Sequence, residues 1–493
     1  NPSSGNTTQG AADALALSNK VAAAKAFTAD VEASTTAILA YQPEATSPFS
    51  AGEALTDAVA FIATATATYA PTAADVDAAI VTMQTATVAE TTVTPVVKTL
   101  ATTTDIVTGT SAADTISGAK GTVDGDTINA GAGIDTLTYT ATVADDDNAA
   151  FIATGLEKFT VRSTGGTAND AAFVDLEMGD VEGLTDVTFR RLNDDVKLDN
   201  LQSLSTTINV EKVATAADMT VGFEASIVAG SSDTANVAIN TSTGGSDLTV
   251  NGVETIAITA TGDDNDLNID GDDLATVTVA GTGDWSGDVD ASVTTITASN
   301  TGGITVNFTA AADTTVTGSG ASDTFHYAAT LTKADTVDGG AGTDVLKLGD
   351  ATTVLASGVG SNVTNVETIR LDSSNDGAAE TFTLDADQIS GISSIIVDAT
   401  DADDSFVIND YVTTQALTVV ESSDNTLLSL DVDLKDRTGA SDHVTIDITN
   451  SDATTALTAT TITSTDGGIE TVTLDLNQGK DISDASDIIV ATM

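Results

Sequence analysis

From about residue 91 to the end, apolar and polar residues alternate in short runs such as TINV (207–210), TIAITATG (255–262), TVTVAG (276–281) and ETVTLDL (470–476). Gly, Asp and Asn separate the runs. A period of two between such turns predicts short β-strands. The text before residue 91 has a different period: Leu15, Val21, Ala22, Ala26, Val31 and Ile38 fall near helical spacing, and Pro43 and Pro48 break the run. A second stretch carries Leu55, Val59, Ile62 and Tyr69, and a third, after Pro71-Thr72, carries Val76, Ile80 and Met83. These predict a small set of packed helices.

The β text repeats itself. Asp114, Asp126 and Asp135 recur 209 residues later as Asp323, Asp335 and Asp344, and Asp195 and Asp233 recur at Asp404 and Asp442 with the same offset. Four phrases punctuate the two copies: GLEKFTV with Glu157, GVETIAI with Glu254, NVETIRL with Glu367 and GIETVTL with Glu470. The division expected is a helical segment at 1–90, a linker at 91–108, one β-solenoid repeat at 109–317 and a second, shorter one at 318–493. With only 23 residues after Glu470, either more chain or a neighbouring molecule is expected to cover the last rungs.

Each Asp triplet has spacings of 12 and 9 and sits in Gly/Thr-rich text: GTSAADTIS, GTVDGDTIN and AGAGIDTLT in the first copy, GSGASDTFH and GGAGTDVLK in the second. A hard cation takes about six to eight oxygen ligands. Glycines such as Gly131, Gly133, Gly339 and Gly342 let the backbone curl its carbonyls round an ion, and each Asp adds a carboxylate. The apolar residue two positions on (Ile116, Ile128, Leu137, Phe325, Val337, Leu346) is expected to turn inward. One turn offers half a coordination shell, so the nine-residue steps from Asp126 to Asp135 and from Asp335 to Asp344 are the candidate paired sites. Asp264, Asp266 and Asp270 form a further candidate, because DDNDLNIDGDDL begins like an EF-hand loop but has Val277 at its twelfth position. The four glutamates read as turn residues opening a rung or as additional ligands. The acidic runs at 145–147 and 401–404 read as solvated turns.

Residues 339–347 match the nonapeptide G-G-x-G-x-D-x-U-x in full, and 130–138 depart from it only at Ala130. On these words the chain resembles the RTX-type secreted calcium-binding proteins, and more closely the RTX-containing surface-layer proteins of Gram-negative bacteria. The resemblance implies a calcium-binding parallel β-roll or β-helix, Ca2+ as the cofactor, type I secretion and a place on the outer cell surface. The phrase from Ala14 to Val31 is similar to the helical domain ahead of such repeats, which implies an anchor to lipopolysaccharide or another surface glycan. The alternative is a helical cap or spacer.

Composition narrows the classes. Sixteen basic against 73 acidic residues give a net charge of −57, which opposes nucleic acid and anionic membrane and calls for counterions. There is no cysteine, which excludes disulfides and thiolate metal sites, and only His326 and His443, both read as surface or turn residues, could offer imidazole, so zinc catalysis is not expected. No apolar run is long enough to span a membrane. No catalytic motif stands in the text, and Trp285 is the only tryptophan available as a sugar platform. The expectation is a non-enzymatic, self-assembling surface-layer subunit. The alternatives are an extender region of an RTX adhesin and, behind it, a β-helix enzyme acting on polysaccharide.

Overall fold

The computed structural model describes residues 4–32, 53–85, 93–141, 147–164, 173–213, 217–308, 313–328, 331–349, 354–355, 359–373, 381–399, 404–421, 429–438, 442–450, 460–465, 468–476 and 488–490. Ile38, Pro43, Pro48 and most of the acidic runs at 145–147 and 401–404 lie outside them.

Three helices, α1 (Ser4–Glu32), α2 (Glu53–Thr64) and α3 (Ala73–Thr85), pack round Phe27, Val31, Ala58, Val76 and Ile80. The buried stripe of α1 is Ala23, Phe27 and Val31, whereas Leu15 and Val21 are about half exposed. So many alanines leave the helix without one dominant apolar face, and the ring of Phe27, 5.6 Å from that of Phe61, sets its rotation. Thr72 starts α3: its amide donates to Asp75 Oδ2 at 2.7 Å, and Asp75 N–H donates back to the Thr72 hydroxyl at 3.4 Å. Among the described residues no helix is long and apolar enough to cross a membrane.

The remainder is a parallel β-solenoid. Pairing is parallel from Val97–Thr99 on Thr115–Ala119 at one end to Thr460–Thr463 on Ile488–Val490 at the other. The first strands therefore lie inside the segment read as a linker. Every second side chain enters the core, and parallel register stacks like on like. Ile116, Leu137, Phe159, Val187, Ile208 and Val237 form one fully buried column. All six apolar residues two positions after the repeat aspartates are buried, at 1% exposure or less. Each contributes about 1.5–3 kcal/mol by leaving water. The outward positions are largely Thr, Asp and Asn; threonine keeps a β-branched shape while presenting a hydroxyl to solvent.

Among the described residues the strands form sheets of three, thirteen, fifteen and six members. Thr115–Ala119 and Thr136–Ala141 belong to the thirteen-stranded sheet and Thr127–Gly131 to the three-stranded one. Their repeat equivalents, Thr324–Ala328 and Val345–Gly349, lie in the fifteen-stranded sheet, and Thr336–Asp338 lies in the thirteen-stranded one. Each strand thus maps onto the one twenty places later, but one wall further round. The fifteen-stranded sheet is the second wall of the first copy and the first wall of the second, so the copies share a continuous hydrogen-bonded body.

Candidate metal sites

The six repeat aspartates are almost completely buried, at 0–1% exposure, where the chain turns into a strand. Each sends its Oδ1 back one rung to accept a main-chain N–H. Asp114 takes Val96 N–H at 2.6 Å, Asp126 takes Asp105 at 2.6 Å and Asp135 takes Asp114 at 2.6 Å. In the second copy Asp323 takes Ile304 at 2.7 Å, Asp335 takes Thr314 at 2.6 Å and Asp344 takes Asp323 at 2.8 Å. The four E-T-type glutamates continue this ladder. Glu157 accepts from Asp135 N–H at 2.8 Å and Glu367 from Asp344 at 2.9 Å. Glu254 accepts from Asp233 at 2.7 Å and Glu470 from Asp442 at 2.6 Å.

The second carboxylate oxygens divide the six. Oδ2 of Asp114 accepts Thr110 N–H at 2.5 Å, that of Asp323 accepts Ser319 N–H at 2.6 Å and that of Asp335 accepts Thr332 N–H at 2.6 Å. Oδ2 of Asp126, Asp135 and Asp344 is buried with no hydrogen-bond partner. An unpaired buried anionic oxygen is costly. Burial accordingly pushes the carboxyls of Asp126 and Asp135 up, and that of Asp344 up to about 6, with Asp323 and Glu367 adding repulsion.

Carbonyl oxygens crowd the same turns. A Cβ on Gly131 (φ +101°) would lie 2.0 Å from Thr110 O, and one on Gly342 (φ +144°) 2.4 Å from Ala321 O. A Cβ on Gly339 would lie 1.9 Å from Asn365 O and 2.8 Å from the unpaired Asp344 Oδ2. Gly133 (φ +131°) lies similarly against Ala112. An oxygen-rich turn holding one unsatisfied carboxylate oxygen suits a hard cation.

Asp264, Asp266 and Asp270 are not brought together in this way. Asp264 is exposed in a turn at φ +61°, while Asp266 precedes and Asp270 ends the strand Leu267–Asp270. Asp270 belongs instead to the outer face of the fifteen-stranded sheet, where acidic residues stack rung on rung. Amides interleave some of them: Asn268 Nδ2 donates to Asp247 at 2.7 Å and Asn307 Nδ2 to Asp288 at 2.8 Å. Asp195, Asp218 and Asp247 follow one another without such a spacer, and burial with their repulsion pushes Asp218 up to about 6.

Among the described residues the one group of three carboxylates with oxygens within 4.8 Å of one another is Asp385, Asp387 and Asp410. Sequence reading missed it, because the residues come from successive rungs. Its equivalent in the first copy is neutralised: Asn200 Nδ2 donates to both oxygens of Glu177 at 2.9 Å. In the second copy Asp410 replaces the amide, and Lys435 Nζ stands 3.2 Å from Asp387.

His326 Nδ1 meets Asn307 Oδ1 at 3.1 Å and His443 Nε2 meets Thr473 Oγ1 at 2.8 Å, both within strands. Trp285 is buried and donates Nε1–H to Leu267 O at 3.0 Å, so its ring is no exposed sugar platform.

No protein-family model matches the chain, and no curated protein is detectably similar to it in sequence. The functional reading rests on the geometry of these turns and on the nonapeptide words.

Proposed function

We propose that the chain is a calcium-dependent structural protein of a bacterial cell surface, similar in kind to RTX surface-layer subunits, and that it is not an enzyme. The observation that carries the calcium part is the buried, unpartnered Oδ2 of Asp135 and Asp344 beside glycines that admit carbonyls from the adjacent rung, joined by the equally unpartnered Oδ2 of Asp126. Bound calcium would supply positive charge to these oxygens. Asp126 and Asp135 in the first copy and Asp344 in the second would hold it, and Asp114, Asp323 and Asp335, whose oxygens are all engaged, would brace the turns.

The chain's own contribution is to bury these carboxylates only when folded. An ion that binds the folded form and not the unfolded one stabilises folding by mass action. With a net charge of −57, self-repulsion weakens the folded form of the chain without its counterion, which suits export before calcium is met. Lateral calcium bridges between acidic outer faces would support a lattice, with the three helices as the contact to lipopolysaccharide or another surface glycan.

A second reading, the extender of an RTX adhesin, is favoured by the fifteen-stranded sheet running unbroken through both copies, as an extended rod requires. Calcium titration by calorimetry, circular dichroism with and without chelator, and electron microscopy test both. Calcium binding with two-dimensional sheets supports the surface-layer reading and isolated rods the extender; absence of calcium binding and no response to chelator would sink both.

A further inference from the structure

The turn at residues 280–285 carries the backbone geometry of the nonapeptide turns without their sequence. Gly281 has φ +107°, against +101° at Gly131 and +92° at Gly340. A Cβ on Gly281 would lie 2.1 Å from Ala260 O, as one on Gly131 lies 2.0 Å from Thr110 O and one on Gly340 2.2 Å from Ser319 O. The next residue also donates alike: Thr282 N–H to Ala260 O at 3.0 Å, Ala132 to Thr110 at 2.9 Å and Ala341 to Ser319 at 3.2 Å. A Cβ on Gly283 would then lie 2.3 Å from Gly262 O, as one on Gly342 would lie 2.4 Å from Ala321 O. The words A-G-T-G (280–283) and A-G-A-G (130–133) show the kinship, but Asp284 comes one position early and so falls outside the nonapeptide pattern.

That shift loosens Asp284 from the ladder. Its Oδ1 is 3.5 Å from Asn265 N, where Asp135 and Asp344 make the corresponding bond at 2.6 and 2.8 Å. One rung on, Asn300 is 1% exposed. Its Nδ2 donates to Gly283 O at 3.0 Å and to Gly303 O at 2.7 Å, clamping the amide between two successive turns. Its Oδ1 is buried there with no partner. Asn300, whose amide bonds the carbonyl of the residue before Asp284, thus offers a bare oxygen on the rung next to a loosely held carboxylate, and both are hard-oxygen donors.

We propose that Asp284 and Asn300 hold a further divalent cation between the turns at 280–285 and 299–304. The inference rests on the calcium reading above and adds a site of lower donor charge to it. Trp285, the chain's single tryptophan and the neighbour of Asp284, supplies the readout. Terbium(III) bound at Asp284 to the full chain should luminesce under tryptophan-selective excitation and be displaced by calcium. D284N should lose the emission and one bound ion by equilibrium dialysis, while D344N and D266N should keep the emission. If dialysis shows terbium bound but tryptophan sensitises none, or if D284N keeps the signal, this site fails and the nonapeptide sites stand. No ion bound at all overturns both. Should D284N fail to fold by circular dichroism, the unmodified chain with D266N and D344N still decides: emission surviving in both supports the site, and its loss in D266N overturns it.

Discussion

Glu367 reaches back one rung to cap Asp344, its Oε2 accepting the Asp344 main-chain N–H at 2.9 Å, as Glu157 does for Asp135 at 2.8 Å. The glutamate therefore acts on the backbone of the candidate ion-binding turn. E367A strands a partly buried N–H and should cost about 1–3 kcal/mol in urea unfolding with calcium present. E367Q keeps an acceptor and should cost less. If E367Q instead removes a bound ion by dialysis, Glu367 is a ligand and not only a cap.

D344N should have effects of opposite sign in the two metal states. Without calcium it removes a buried anionic oxygen that has no partner, so the melting temperature in chelator should rise. With calcium it removes a ligand charge, so both affinity and the calcium-induced gain in stability should fall. A variant destabilised equally in both states would mark Asp344 as a purely structural residue.

The pH dependence follows from the same residue. Its folded pKa is raised to about 6 from an ordinary carboxyl value near 4, as is that of Asp218. Protonation thus favours the folded form: the contribution is fully present below about pH 4 and is lost as pH climbs through about 6. In chelator, these two groups should make the solenoid more stable at pH 4.5 than at pH 7. Saturating calcium should shrink the Asp344 share, and D218N should remove the Asp218 share. Thermal melts across that window with and without calcium test the sign.

Gly342 and Gly320 make a matched pair. A methyl on Gly342 meets Ala321 O at 2.4 Å and forces a side chain to φ +144°, while one on Gly320 meets nothing within 4 Å. G342A should cost about 1–3 kcal/mol or more and weaken calcium binding; G320A should be close to neutral by the same denaturation assay.

The corner at Asp385, Asp387 and Asp410 can be converted to its first-copy form. D410N restores the amide that Asn200 offers Glu177 and suits the left-handed backbone at position 410, φ +54°. A gain of about 1 kcal/mol in metal-free stability is expected. A loss would show that the three carboxylates are not in conflict there.

Much of the fold was legible because a strand has a period of two. Ile116, Leu137 and Phe325 could be assigned to the core from their place after an aspartate, and the 209-residue offset exposed the two copies. The rest depends on what lies one rung away. Nothing local to Glu157 or Glu367 says that their carboxylates meet an N–H 22 or 23 residues earlier. Rung length varies, so Asp385 and Asp410 come together at no fixed spacing. In α1 the alanines offered several plausible faces, and Phe27 packing on Phe61 chose between them.

The step of one wall per copy has a further consequence. Asp114 and Asp135 open strands of the thirteen-stranded sheet, whereas Asp323 and Asp344 open strands of the fifteen-stranded sheet. Successive acidic blocks therefore point along different bearings about the long axis, like treads on a spiral stair. A rod built this way can meet neighbours in more than one direction without any change in the unit it repeats.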